Sequence, residues 1–262
     1  MAKLDILKQI VAKKKEKVLL AKQALSQEDL IAKLIGLPPT RPFKEVISKS
    51  KQITLIAEIK QSSPSRGVIC QNFNLEQIAR LYQEVGAQAV SVLTEEDFFG
   101  GSLVYLNQVK NIFSGPILRK DFILEDYQVY ESRYFGADAI LLIADLLTKD
   151  KLVQLMQIAD SLGLDYLVEV HDEKELKKVL SLKVPIIGIN NRSLRTLEID
   201  FKVTERLFTL IPRDKVVVVE SGIKNSQDVL FLKILGASSV LIGTAFMEAM
   251  DIKSKVEEVM GW

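Results

Sequence analysis

Ionisable and amide side chains stand at the ends of short apolar runs in several distant parts of this 262-residue chain. The runs include "TLIAEIK", "PILRK", "DYLVE", "PIIGIN" and "KVVVVE", and the polar residues that close them are Glu58, Lys60, Lys120, Glu169, Asn190 and Glu220. Lysine and glutamate are suited to general acid–base catalysis, in which a placed side chain moves a proton in the transition state. If the fold brings these residues together, the sequence predicts proton-transfer chemistry.

The spacing of Glu58 and Lys60 predicts that both face the same way. Alternate residues of a strand point to one face, so these two side chains share a face with Ile56. A solvated strand end would explain one or two such residues, but it explains poorly two lysines, three glutamates and one asparagine after apolar runs. Because burying an unpaired charge is costly, we expect these groups to pair with each other or with a ligand.

A second signal lies in the glycines of "ESGI" (220–223) and "IGTAF" (242–246). Glycine lets backbone N–H groups approach an anion, and we expect Thr244 to cap a short helix whose positive end faces the same place. The loop "QSSPSRG" (61–67) would offer hydroxyl and N–H groups to the same anion. These stretches predict a phosphate site, with ordinary turn glycines as the alternative.

The elements that must position these residues follow a regular rhythm. Apolar runs alternate with amphipathic helical segments, and the runs cover 54–60, 87–94, 116–122, 137–144, 165–170, 185–191, 215–221 and 238–245. Runs that are apolar on both faces are typical of a parallel sheet covered by helices. Eight such units in about 200 residues predict an α/β fold of the (β/α)8 (TIM) barrel type, whose active site lies at the carboxyl ends of the strands. An open doubly wound sheet is the alternative, but the first turn is not a G-x-G-x-x-G.

We expect residues 1–262 to form a single domain, with 1–47 as an N-terminal helical extension and 48–262 as the barrel. In the extension, Leu4, Leu7, Val11, Val18 and Leu25 recur near helical spacing, and the lysines are expected to form a solvated basic face. A basic arm for nucleic acid is the alternative, but no aromatic residues are interleaved to support it.

Net charge, cysteine content and the length of apolar runs indicate which partners and locations to expect. The formal net charge is +1, which gives no reason to expect nucleic acid or an anionic membrane as a partner. The single cysteine, Cys70, excludes an internal disulfide and suits a reducing, cytoplasmic location. No apolar run reaches the roughly eighteen residues of a membrane-spanning helix, and the first twenty residues do not resemble a signal peptide.

Several motifs together carry a family resemblance. "IAEIKQSSPSRG", "LTEEDFFGGS", "ILRKDFI", "LVEVHDE", "IGINNRSL", "VVESGI" and "LIGTAF" occur in order between about residues 53 and 247. In this combination the chain resembles the indole-3-glycerol-phosphate synthases of tryptophan biosynthesis. The resemblance implies ring closure of 1-(2-carboxyphenylamino)-1-deoxyribulose 5-phosphate with loss of carbon dioxide and water. It implies no metal and no organic cofactor.

The resemblance also implies catalytic roles. Lys120 would protonate the substrate carbonyl, and Glu169 would act in proton transfer or stabilise a positive intermediate. Glu58 and Lys60 would position the substrate, with Lys60 as an acid for dehydration, and the division of steps among these residues stays open. Burial near another cation is expected to lower the pKa of Lys120, so that it can give and regain a proton near neutral pH; neighbouring glutamates oppose that shift, so no value is assigned.

Binding roles follow from the same resemblance. The polar ligands of the substrate would be Asn190 and Glu220, and Arg192 would contact the leaving carboxylate. The phosphate contacts would be Ser63, Ser221, Gly222, Gly243 and Thr244, and the walls around the aromatic ring would be Phe99, Phe122 and Leu141. His171, the only histidine, has no role in the resemblance and is expected beyond the strand, at the surface or behind Glu169.

Two other classes of function remain as alternatives. Another phosphate-binding barrel enzyme, such as a phosphoribosyl isomerase, would favour a Cys/Asp or Asp/Asp pair, whereas the strand ends here carry Lys and Glu. A non-catalytic scaffold would use the basic N-terminal helix. For the enzyme we expect a phosphorylated small molecule as substrate and a monomer or weak homodimer as the oligomeric state.

Overall fold

The computed structural model describes residues 6–48 and 52–262. Among these residues, eight parallel strands form a closed barrel. The strands are β1 Thr54–Ile59, β2 Ala89–Leu93, β3 Ile117–Lys120, β4 Ala139–Ile143, β5 Asp165–Val170, β6 Ile186–Asn190, β7 Val216–Glu220 and β8 Ser239–Ile242. Each strand pairs with the next along the chain, and β8 pairs with β1. The predicted (β/α)8 barrel is confirmed.

Helices surround the barrel and precede it. Those before the first strand are α1 Ile6–Ala24, α2 Gln27–Ala32 and α3 Phe43–Ile47. Those after it are α4 Leu75–Glu84, α5 Val104–Lys110, α6 Asp126–Tyr134, α7 Lys149–Ser161, α8 Glu173–Leu180, α9 Lys202–Phe208, α10 Ser226–Leu235, α11 Thr244–Met247 and α12 Ile252–Met260. No helix in the described residues is long and apolar enough to cross a membrane.

The strands are buried on both faces, as their apolar sequences predict. Ile56, Leu118 and Leu167 point into the barrel and pack in its interior, whereas Leu55 and Val168 point outwards and pack with the helices. This alternation places every second residue of a strand inside the barrel, so polar residues at strand ends open into its mouth.

The predicted runs are longer than the strands at two places that matter for the site. The run 116–122 ends as a strand at Lys120, because the Asp121 carboxylate accepts a hydrogen bond from the Phe122 N–H at 2.8 Å and the chain turns. The run 238–245 ends at Ile242, where Gly243 starts α11. Thr244 is the first residue of that helix and not its cap, which corrects the prediction. Leu4 of the predicted helical stripe lies outside the described residues.

Candidate active site

A cavity of about 500 Å³ opens at the carboxyl ends of the strands. All the residues predicted for the site line it: Glu58, Lys60, Ser63, Phe99, Lys120, Phe122, Leu141, Glu169, Asn190, Arg192, Glu220, Ser221, Gly222, Gly243 and Thr244. The strand register places the strand-end residues at a similar height along the barrel axis: Asn190 pairs with Glu220, and Gly188 pairs with Glu169, across neighbouring strands. Cys70 does not line this cavity.

Lys120 lies at the centre of the charged groups. Its Nζ contacts Glu220 Oε2 and lies 3.4 Å from Glu169 Oε2. Burial alone would lower the pKa of Lys120, but the carboxylates of Glu220, Glu169 and Glu58 outweigh burial and raise it. The lowered pKa expected from the sequence is therefore wrong, and Lys120 is a protonated ammonium group in the free enzyme.

Glu169 and Glu220 share this lysine but titrate in opposite directions. Burial raises the pKa of Glu220 to about 7 against the attraction of Lys120, and the neighbouring Glu169 charge adds to the rise. Burial also acts on Glu169, but Lys120, His171 and Asn190 together lower its pKa to about 2. Among the described residues, Glu220 Oε1 has no hydrogen-bond partner. One carboxylate is thus held as an anion and the other exchanges a proton near neutral pH.

A second ion pair lies across the cavity. Lys60 Nζ contacts Glu58 Oε1 and lies 3.3 Å from Thr244 Oγ1. Burial would raise the pKa of Glu58, but Lys60 and Lys120 outweigh it and lower that pKa. The site needs a glycine at position 243, because a Cβ there would overlap the Glu58 carboxylate. The absence of a side chain at this point lets the ion pair reach α11.

The segment that follows β7 has an unusual backbone. Ser221 and Gly222 both have positive φ angles, of 66° and 89°. A non-glycine residue in this region is strained and is often found at a functional site. Ser63, on a short hairpin formed by Ser62–Ser63 and Gly67–Val68, is largely buried in the same cavity. Glycine backbone and serine hydroxyl groups thus line the same cavity.

The opposite side of the cavity is apolar. Phe99 and Phe122 lie with their ring centroids 6.1 Å apart, and Leu141 lines the same cavity. Sequence reasoning missed the contribution of α1, whose Leu7 and Ile10 also form the wall. The helical stripe of the extension gave a signal that one face is buried, but not that it covers the cavity.

Arg192 lies between the cavity and the loop after β6. The guanidinium nitrogen Nη1 donates to the carbonyl of Leu197 at 2.9 Å and lies 3.4 Å from Ser65 Oγ. Leu194, Leu197 and Ile199 from this loop also line the cavity, and sequence reasoning missed them. Arg192 is therefore held at the rim with a loop that is apolar towards the cavity.

The predicted solvated face of α1 is wrong at one position. Lys14 is only 6 % exposed, and its Nζ lies 2.7 Å from Asp121 Oδ1. Asp121 also forms an ion pair with Arg119 Nη2 at 2.9 Å and accepts a hydrogen bond from the Thr94 hydroxyl at 2.6 Å. Helical spacing places Lys14 on the same face as Leu7 and Val18, but it does not reveal the carboxylate on the barrel that pairs with the buried ammonium group.

Comparisons with known proteins show the family of the chain. A family model described as "Indole-3-glycerol phosphate synthase" matches residues 7–259. The chain belongs to the indole-3-glycerol phosphate synthase family. The enzyme of that name from Caldanaerobacter subterraneus subsp. tengcongensis is 46 % identical over 258 residues, which cover 98 % of this chain and 99 % of the relative. The one from Desulforamulus reducens is 44 % identical over 256 residues, which cover 97 % of each chain.

Solved structures with low identity share the fold. The 3-hexulose-6-phosphate synthase of Salmonella typhimurium aligns with a TM-score of 0.62 at 13 % identity, over 80 % of this chain and 97 % of that one. A chain of a tryptophan synthase complex from Pyrococcus furiosus aligns with a TM-score of 0.61 at 18 % identity, over 82 % of this chain and 100 % of that one. These show the barrel alone. As an indole-3-glycerol phosphate synthase, the chain is a carboxy-lyase of tryptophan biosynthesis.

Proposed function

We propose that this cavity closes the pyrrole ring of 1-(2-carboxyphenylamino)-1-deoxyribulose 5-phosphate, forming indole-3-glycerol phosphate, carbon dioxide and water. The observation that carries the proposal is the position of Lys120, a buried cation between two carboxylates at the centre of the cavity. An apolar wall lies on one side of it and the Ser221–Gly222 backbone on the other.

Ring closure is the step assigned to Lys120. The ring carbon that bears the carboxylate attacks the ketone carbon, and the Lys120 ammonium donates a proton to the carbonyl oxygen. The attack removes aromaticity, so it needs an activated electrophile. General acid assistance of this kind contributes about 10²–10⁴-fold to a rate. Substrate must displace Lys120 from Glu220 to receive the proton, since the two are in contact in the free enzyme.

Loss of carbon dioxide follows from the same intermediate. The carbon–carboxylate bond breaks, and its electron pair restores the aromatic ring and neutralises the positive nitrogen. Glu169 and Glu58 are anions on the cavity wall and stabilise the positive charge before it is lost. Arg192 holds the carboxylate at the rim, and Phe99 and Phe122 bind the ring.

Dehydration completes the indole. Lys60 donates a proton to the departing hydroxyl group, and Glu169 takes a proton from the adjacent carbon, so that a carbon–carbon double bond forms as water leaves. Lys60 suits this task because it lies beside Thr244, on the side of the cavity assigned to the glycerol phosphate. Asn190 and Glu220 bind the substrate hydroxyl groups.

The phosphate is assigned to the backbone and hydroxyl groups of Ser63, Ser221, Gly222, Gly243 and Thr244. This assignment rests on their shared side of the cavity and on the glycines that leave the backbone accessible. Backbone N–H groups in such a concave turn are suited to bind an anion.

The experiment is incubation of the purified chain with the carboxyphenylamino-deoxyribulose phosphate while indole fluorescence is recorded. We expect product to form at an unchanged rate in a Cys70→Ser control, because Cys70 lies outside the cavity. Absence of indole from the wild type would overturn the proposal. Turnover of a phosphoribosyl isomerase substrate, with sensitivity to Cys70→Ser, would support the alternative enzyme class.

We further propose a cytoplasmic location, supported by the single cysteine. A monomer or weak homodimer remains our prediction for the oligomeric state, which sedimentation at several protein concentrations would test.

A further inference from the structure

His171 is the only histidine of the chain and lies directly after β5. Its side chain is 14 % exposed and lies outside the residues that line the cavity. Nε2 lies 3.2 Å from Glu169 Oε1, and Nδ1 lies 3.1 Å from Glu175 Oε2. The ring is therefore placed between two carboxylates, one of which belongs to the site.

The ring is held in this orientation by the first turn of α8. The backbone N–H of His171 donates to Glu175 Oε2 at 2.9 Å, and the Asp172 side chain accepts from the Glu175 N–H at 2.8 Å. Glu175 thus hydrogen-bonds both the backbone N–H and the ring of His171, and these two contacts restrict rotation of the imidazole.

Both ring nitrogens face carboxylate oxygens. A neutral imidazole has one N–H and one lone pair, so one of its nitrogens would point a lone pair at an anion. An imidazolium has two N–H groups: Nδ1 hydrogen-bonds Glu175, and Nε2 lies at ion-pair distance from Glu169 without the alignment of a hydrogen bond. The two carboxylates accordingly raise the pKa of His171 to about 10, although burial opposes them.

The other charged groups nearby do not compete for the ring. On α8, Lys178 donates to the carbonyl oxygen of Leu147 at 2.9 Å, and Asp172 caps the helix. From β3, Lys120 faces the far oxygen of Glu169, Oε2. Glu169 thus lies between two cations, one in the cavity and one behind it.

This arrangement distinguishes Glu169 from Glu220. When substrate draws Lys120 away, Glu220 loses the one cation it contacts among the described residues, whereas Glu169 keeps His171. We propose that His171 is a positioning residue whose imidazolium, fixed by Glu175, keeps Glu169 ionised and directed at the substrate throughout the reaction. The role rests on the function proposed above.

The first test needs no substrate. Because the chain has one histidine, its ring nitrogens can be followed without ambiguity by ¹⁵N-detected NMR during a pH titration. We expect both nitrogens to carry protons at pH 8 and the titration to shift to lower pH in Glu169→Gln. A ring with one protonated nitrogen at pH 8 would overturn the proposal, whatever the enzyme's activity.

The second test is kinetic. His171→Gln removes the charge, so we expect kcat to fall about tenfold with little change in KM, and the acid limb of the kcat pH profile to move to higher pH. His171→Lys should restore part of kcat, and Glu175→Gln, which keeps an acceptor for the His171 N–H, should lower kcat less than His171→Gln.

The two tests separate the possible failures. Normal kcat and an unchanged pH profile in a folded His171→Gln variant would reject the positioning role while leaving the proposed function standing. Absence of indole from the wild type would reject the proposed function, whereas the NMR titration would still decide whether His171 is charged by Glu169.

Discussion

Strand β3 separates two buried ionic clusters that differ in how completely their charges are paired. The inner cluster, in the cavity, consists of Lys60, Lys120, Glu58, Glu169 and Glu220. The outer cluster, under α1 and α6, consists of Arg119, Asp121, Lys14 and Glu131, of which Asp121 also lines the cavity. Alternate residues of one short stretch, from Arg119 to Asp121, point to opposite sides, so the sequence "RKD" supplies both.

The outer cluster is saturated. Arg119 donates to the carbonyl of Gln128 and to Ser132 Oγ, each at 3.0 Å, and its Nη2 lies 2.9 Å from Asp121 and from Glu131. The inner cluster is not, because two carboxylates compete for Lys120 and Glu220 Oε1 is left without a partner among the described residues. A saturated buried cluster fixes structure, whereas an unsaturated one leaves groups for a ligand.

The largest expected effect is on catalysis, from the inner cluster. Lys120→Ala should lower turnover by at least about a hundredfold, because it removes the acid of ring closure. The fold should remain intact, since Glu220 can keep its proton when the cation is gone. Indole fluorescence measures the loss of turnover, and urea unfolding measures whether the fold remains intact. Near-normal turnover in Lys120→Ala would reject this residue as the acid.

The matched substitution one residue earlier should act on stability instead. Arg119→Leu leaves Asp121 and Glu131 buried without their shared cation, which typically costs about 3–5 kcal/mol of unfolding free energy. We expect the fraction that still folds to keep turnover within the same order of magnitude. If Arg119→Leu abolished turnover without loss of stability, the distinction between the clusters would be wrong.

One carboxylate of each cluster, Glu220 in the inner and Asp121 in the outer, should change stability with pH in opposite directions. The folded-state pKa of Glu220 is raised from 4.5 to about 7, so its contribution to stability is fully present below pH 4.5 and is lost as pH rises through 7. The pKa of Asp121 is lowered from 3.8: burial opposes the shift, and Arg119 and Lys14 outweigh it. Its contribution is therefore present above pH 3.8 and is lost as pH falls.

Glu220→Gln isolates the first of these effects. Because glutamine resembles the protonated acid, the variant should gain up to about 3 kcal/mol relative to the wild type between pH 5 and pH 8. Urea unfolding of both proteins at the two pH values measures this change. An equal difference in stability at both pH values would show that Glu220 has no raised pKa in the folded state.

The comparison also shows what the sequence could and could not predict. Runs that are apolar on both faces and separated by helical segments were sufficient to predict the barrel. The position of Lys120, Glu169 and Glu220 at strand ends was sufficient to predict that they lie in one cavity. The two glutamates close similar runs, "LVE" and "VVE", yet their pKa values move in opposite directions. That difference comes from His171 and Asn190, whose contacts with Glu169 depend on loop and strand geometry.

Lys14 was beyond sequence reasoning for a related reason. Its neighbours on α1, Lys13 and Lys15, are exposed. Helical spacing places Lys14 on the apolar stripe, three residues after Val11 and four before Val18, but it does not show which group could accept a buried ammonium there. The deciding partner, Asp121, lies at the end of β3, and only the packing of the extension against the barrel brings the two together.

The smallest expected effect concerns this lysine. Lys14→Met should lower the free energy of unfolding by about 1–2 kcal/mol, because it removes one charged contact to Asp121 while Arg119 and Thr94 still hold that carboxylate. Lys15→Met, on the exposed side of the same helix, should change it by less than about 0.5 kcal/mol. Urea unfolding of the pair compares the two positions with helix propensity and net charge matched. Equal stabilities for the two variants would mean that the Lys14–Asp121 contact adds nothing, and that the outer cluster is complete without the extension.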